Sequence, residues 1–133
     1  MKLTQETTAA QQLAITIANG AAVSGDIYGG SDGRIRANGF RLMSILVPSA
    51  WTAADIGFEV SADGSTWVKV YDEEGARIKI TNVATAAAGV YAVPAKLGLV
   101  GMWPYLRLVS LNTSTGADAN QGAARSLVVA IGG

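Results

Sequence analysis

The side chains of this chain best suited to chemistry are carboxylates. Asp63 sits in "SADGSTW", Asp72, Glu73 and Glu74 run together in "YDEEG", and Glu59 lies one strand earlier in "IGFEVS". Two chemistries use such groups. Calcium takes six to eight oxygens from ligands that converge, commonly at alternating positions around a Gly bend. Three consecutive acids in an extended chain point apart, so Asp72 to Glu74 with Asp63 read first as turn residues and only second as a calcium loop. A pair such as Glu59 and Asp72 could exchange a proton as acid and base, but the sequence places neither within reach of the other. No other catalytic set can be assembled. The chain has no His and no Cys, which removes Ser-His-Asp and Cys-His nucleophiles, disulfides, and the usual zinc, iron and copper sites. We therefore expect no enzyme, no catalytic residues, no metal and no cofactor.

Aromatic rings are the second candidate chemistry. Trp51, Trp67, Trp103 and Tyr71 could stack on sugar rings or anchor a partner protein, and each also suits packing at a strand boundary. In "TWVKVY" Trp67 and Tyr71 share one face and Val68 and Val70 the other, and both faces carry enough apolar bulk to be the buried one. The segment "TSTGADANQG" offers Asp118, Asn120 and Gln121 as ligand-binding groups, with Arg125 placed to pair with Asp118 and pin the loop; the structural role is favoured.

These residues must be positioned by strands. Apolar residues alternate at Leu13, Ile15, Ile17; Ile56, Phe58, Val60; Ile78, Ile80; Leu106, Leu108; and Leu127, Val129, Ile131, the period of a half-buried strand. Further strands are expected over 23–28, 40–47, 66–71 and 90–93. Gly- and Asp-rich turns separate them at 29–33, 38–39, 62–65, 72–75 and 113–122. Single helical turns are expected at 52–55, 85–89 and 94–101. The pattern predicts one all-β domain, an antiparallel β-sandwich of jelly-roll type with about eight strands over 13–133, preceded by a polar N-terminal arm over 1–12.

Composition narrows the partners. Half of the 133 residues are hydrophobic and only 15% are charged, against about 25% in an average globular protein. The mean hydropathy is +0.29. Part of that apolar surplus is expected in contacts with other subunits, which implies a homo-oligomer or a protein partner. Ten basic residues balance ten acidic ones, so a nucleic-acid partner is not expected; Arg34, Arg36 and Arg41 are the one local basic group. No run approaches the roughly 18 apolar residues of a membrane helix, and the start lacks the apolar core of a signal peptide. The chain reads as soluble and made in the cytoplasm.

Taken together, "AWTAADIGFEVSADGSTWVKVYDEEG" and "WPYLRLVSLNTSTGADANQGAARSLVVAI" resemble a class of small tailed-bacteriophage virion proteins. The likeness rests on Trp51 with Ala54, Ser61 through Trp67, the acidic turn Asp72 to Gly75, Tyr105 to Leu108, and Gln121 through Leu127. It spans about residues 48–131. Leu111-Asn112 departs from the Ser-Gly-Thr turn usual at that point. "VSADGSTW" is also similar to discoidin-type, galactose-binding-like β-sandwich domains, which bind glycans or lipids. The resemblance implies a structural protein of the virion, assembled in the host cytoplasm: a capsid-associated or decoration protein that self-associates and binds the major capsid protein, or else a tail or head-tail component. The galactose-binding-like similarity implies a carbohydrate-binding module.

Overall fold

The computed structural model describes residues 11–28, 41–83, 88–100 and 103–132. These form nine strands and a short 3-10 helix over Ala95–Val100. The strands are β1 (Gln11–Ile17), β2 (Val23–Tyr28), β3 (Arg41–Val47), β4 (Ala54–Ser61), β5 (Trp67–Lys69), β6 (Lys79–Val83), β7 (Gly89–Ala92), β8 (Tyr105–Leu111) and β9 (Arg125–Gly132).

Every pairing is antiparallel. The first strand pairs with the last, β2 with β8, β3 with β7, and β4 with β5 and β6. This is a long two-stranded ribbon rolled up. Rolling brings β9 beside β3 and β8 beside β4, giving the order β5-β4-β8-β2-β1-β9-β3-β7 with β6 also on β4. The groups β1-β9-β3-β7 and β2-β8-β4-β5 have the strand order of a jelly roll, one of the Greek-key arrangements open to all-β chains. A pair at Ile17↔Ser24 joins them at the β1/β2 corner, so the hydrogen bonding runs as one curled sheet and not as two separate ones.

Alternating side chains explain the curl. Ile17, Ile45, Val47, Ile56, Phe58, Leu106, Leu108, Leu127, Val129 and Ile131, drawn from both groups, belong to one buried cluster. Neither group can hide its apolar face alone, and curling buries both against each other. Trp51 joins this core with 4% exposure.

Two sequence expectations shift. The arm assigned to 1–12 overlaps β1, which already includes Gln11 and Gln12. The helical turn expected at 52–55 is absent; Ala54 and Asp55 begin β4, because Ala54 is needed opposite Val83 in the ladder. The turn expected over 94–101 is the 3-10 helix, whereas most of 85–89, the turns at 29–33 and 38–39, and arm residues 1–10 lie outside the described residues.

Candidate interaction face

The two acidic turns close on themselves. Asp63 Oδ1 accepts hydrogen bonds from Ser65 N at 2.8 Å and Thr66 N at 2.9 Å, and Ser61 Oγ accepts from Gly64 N at 2.8 Å. Gly64 has φ 81°, the left-handed conformation this tip requires. Asp72 Oδ1 accepts from Glu74 N and Ala76 N, and its Oδ2 meets Lys96 Nζ at 3.2 Å. These backbone donors hold both carboxyls below the usual Asp range, for Asp63 chiefly through Thr66 and Ser65 and for Asp72 through Ala76 and Glu74. Among the described residues no three acidic groups converge on a metal-sized site. The structure does not bring Glu59 and Asp72 together as a pair: Glu59 is engaged by Arg107 and Arg77, and Asp72 by its own turn and Lys96.

The aromatic candidates divide. Trp51 is core. Trp67 lies on the outer face of the second group, where the Arg107 guanidinium covers its ring at 4.2 Å and Tyr105 meets it edge-on at 6.4 Å. Of the two valines that share the other face, Val70 is buried at 2% exposure while Val68 is 48% exposed, so the face that the sequence left open is buried only at Val70. Tyr71 and Trp103 are exposed at 52% and 39%, and the structure gathers neither with Trp67 into one platform.

In the long loop, Gln121 is buried and works as a clip. It accepts from Thr52 N at 2.9 Å, and its amide donates to Thr52 O at 3.1 Å and Ser110 Oγ at 3.0 Å. Arg125 does not pair with Asp118 as the sequence suggested. Its guanidinium donates to Thr52 Oγ1 at 3.0 Å and Gln121 Oε1 at 3.3 Å, because Gln121 and Thr52 are held within reach while Asp118 bridges to Leu111. At the Leu111-Asn112 departure, Asn112 caps the turn by accepting from Ser114 N and Thr115 N. Arg34 and Arg36 lie outside the described residues.

The feature that sequence reasoning missed emerges from register. Cross-strand partners share a face, so the pairings define complete rows across each group. On the outside of β1-β9-β3-β7, one row reads Ala14–Val128–Leu46–Val90 and the next Gln12–Ala130–Ser44–Ala92, with Thr16–Ser126 flanking. No member is charged. Leu46 is 38% exposed and Val90 68%, and Met43, at the β3 bulge beside them, is 49% exposed. The register places Arg41 opposite Gly132, beyond these rows.

The other group's outer face is the opposite. Its central row reads Asp26–Arg107–Glu59–Lys69, acid and base in alternation. Arg107 donates to Glu59 Oε1 through Nε at 2.9 Å and Nη2 at 2.7 Å, a charge-assisted pair. Arg77 Nη2 lies 3.9 Å from Glu59 Oε2, and Lys79 Nζ is 2.8 Å from Asp55 Oδ2. Glu59 and Asp55 are buried. The buried acids of this face are paired, Glu59 with Arg107 and Asp55 with Lys79, although Arg77 Nε and Nη2 are buried without a hydrogen-bond partner; the uncharged face leaves apolar side chains to water.

No family model, no curated protein and no solved structure matches the chain.

Proposed function

We propose that the chain is a non-enzymatic structural protein of a bacteriophage virion, a capsid-associated or decoration protein that self-associates and docks on the major capsid protein. The observation that carries this reading is the uncharged outer face of β1-β9-β3-β7. Monomeric proteins seldom leave a contiguous apolar patch in water, and such patches mark protein contacts. A protein of this kind acts by geometry: copies at symmetric sites bury the same patch, and weak single contacts add across the particle. Jelly-roll order also occurs in viral capsid and lectin domains, so the fold is compatible with the reading without choosing it. The residues behind the phage-like resemblance act as scaffold, with Gln121, Arg125 and Thr52 clipping one loop and Ser61, Asp63 and Gly64 shaping another.

The test is co-sedimentation of purified protein with particles of the phage whose genome encodes it. Wild type is expected to pellet with particles and to be found in them by mass spectrometry; protein that stays in the supernatant and is missing from particles contradicts the proposal.

One observation favours a second reading, a carbohydrate-binding module. Tyr71 and Trp103 present exposed rings, the groups that stack on sugars. Glycan-array binding lost on Trp103→Ala or Tyr71→Ala with the fold intact would support it. Trp67→Ala should matter less to glycan binding, because Arg107 already covers that ring.

A further inference from the structure

The uncharged rows end at β7, the last strand of the sheet order. Among the described residues β7 pairs only with β3. Edge strands usually carry a defence against pairing with another chain, such as Lys, Pro or a bulge. The other edge has one in its charges: β5 ends in Lys69 and β6 begins with Lys79. Strand β7 reads Gly-Val-Tyr-Ala, with no charge, no Pro and an unshifted register against β3.

Its hydrogen-bonding groups can be placed. Val93 N donates to Met43 O, and hydrogen-bonded pairs alternate along an antiparallel ladder. Tyr91 and Gly89 are therefore the residues bonded to β3, and Val90 and Ala92 turn their N–H and C=O groups outward. These are the same two residues whose side chains complete the uncharged rows.

We propose that β7 is a self-pairing edge: two copies of this chain join antiparallel, β7 to β7, about a two-fold axis through Tyr91. Val90 of each copy then exchanges N–H···O=C bonds with Ala92 of the other. Register parity and strand length together select this geometry: within Gly89–Ala92 it is the register that bonds both outward residues of each copy. Opposed residues share a face, so Val90 must meet an outward residue of the second copy; pairing it with Tyr91 would set the outer face of one copy beside the core face of the other. A second copy is the occupant that fits, because a two-fold axis brings each group near its own equivalent. A charge on this strand would meet its like, and the strand has none. The row Ala14–Val128–Leu46–Val90 then runs into the second copy's Ala92–Ser44–Ala130–Gln12, extending one uncharged surface across both. The inference names the partner in the self-association proposed above and rests on that reading only for its use on a particle.

Sedimentation velocity of the full chain across the micromolar range tests it. Wild type is expected to show a concentration-dependent dimer. Ala92→Pro removes an outward N–H without touching the β3 ladder, and Val90→Lys places two like charges diagonally across the axis, one residue to either side. Each should weaken dimerisation roughly tenfold or more, with far-UV circular dichroism unchanged; if Ala92→Pro disturbs the fold, Val90→Lys alone decides. A wild type that stays monomeric throughout, or a dimer unmoved by Val90→Lys, overturns the inference. A wild-type dimer that ignores particles would instead sink the virion reading and leave this one standing.

Discussion

Two rows of four residues cross the two outer faces of this protein, and they differ in nearly every physical respect. Asp26–Arg107–Glu59–Lys69 alternates in charge, is braced by Arg77, and is capped by the Trp67 ring. Ala14–Val128–Leu46–Val90 has no charge and an exposed Leu and Val. Both rows sit on the same kind of backbone, four antiparallel strands over a shared core. At the centre of the first, Arg107 and Glu59 pair with each other, whereas the second leaves apolar side chains in water. That contrast is the basis for the proposed interaction surface: paired charges stabilise the fold, and exposed apolar patches on folded proteins tend to mark protein contacts.

Substitutions should separate the two faces. The largest stability loss is expected from Glu59→Gln, which leaves Arg107 and Arg77 facing a neutral amide in a mostly buried site. Because Arg107 is partly exposed, we expect about 2–4 kcal/mol by urea unfolding, toward the lower end of what breaking a buried pair costs. Gly57→Ala comes next. A Cβ there would lie 2.7 Å from Leu111 Cδ1 and 3.2 Å from Val109 Cγ1, both on fully buried side chains, so the same measurement should show a loss of about 1–3 kcal/mol from overpacking. A change of midpoint near zero for both would mean that the charged face is not the stabilising one.

On the uncharged face the order reverses. Leu46→Glu should move stability by no more than about 0.5 kcal/mol, since the side chain already meets water, while removing particle binding. The smallest effect concerns the acidic turns. Asp63 and Asp72 titrate below their ordinary value of 3.8 in the folded state. Their contribution is therefore present above that value and is lost as pH falls through the lowered one. Asp63→Asn should cost a small amount of stability at neutral pH, a cost that disappears as pH falls through the lowered value and so flattens part of the acid limb; a cost that stays the same at low pH would contradict the assignment.

Much of the scaffold was legible in the sequence. Alternation at Leu13–Ile17, Leu106–Leu108 and Leu127–Ile131 marked strands whose inner residues are the core, and Asp63-Gly64 marked a hairpin tip, because both signals are local. Strand β4 was misjudged as half-buried. All eight of its residues are buried, since Asp55 and Glu59 alternate with Ile56 and Phe58 as any solvated residue would, and only the structure shows Lys79 and Arg107 pairing them. The interaction face was illegible for a related reason. Ala14, Leu46, Val90 and Val128 are unremarkable one by one, and they become a surface only when register aligns four strands distant in sequence. A usable signal did exist: "RLMSILV" and "SLVVAI" are apolar at outward as well as inward positions, unlike "IGFEVS".

The central claim is that the uncharged face docks and the charged face does not. Its most direct test compares particle co-sedimentation of Leu46→Glu and Lys69→Glu, one exposed substitution in each of the two rows, both verified as folded. The account predicts that Leu46→Glu stays in the supernatant while Lys69→Glu pellets like wild type. Leu46→Glu pelleting normally while Lys69→Glu fails to bind would contradict it.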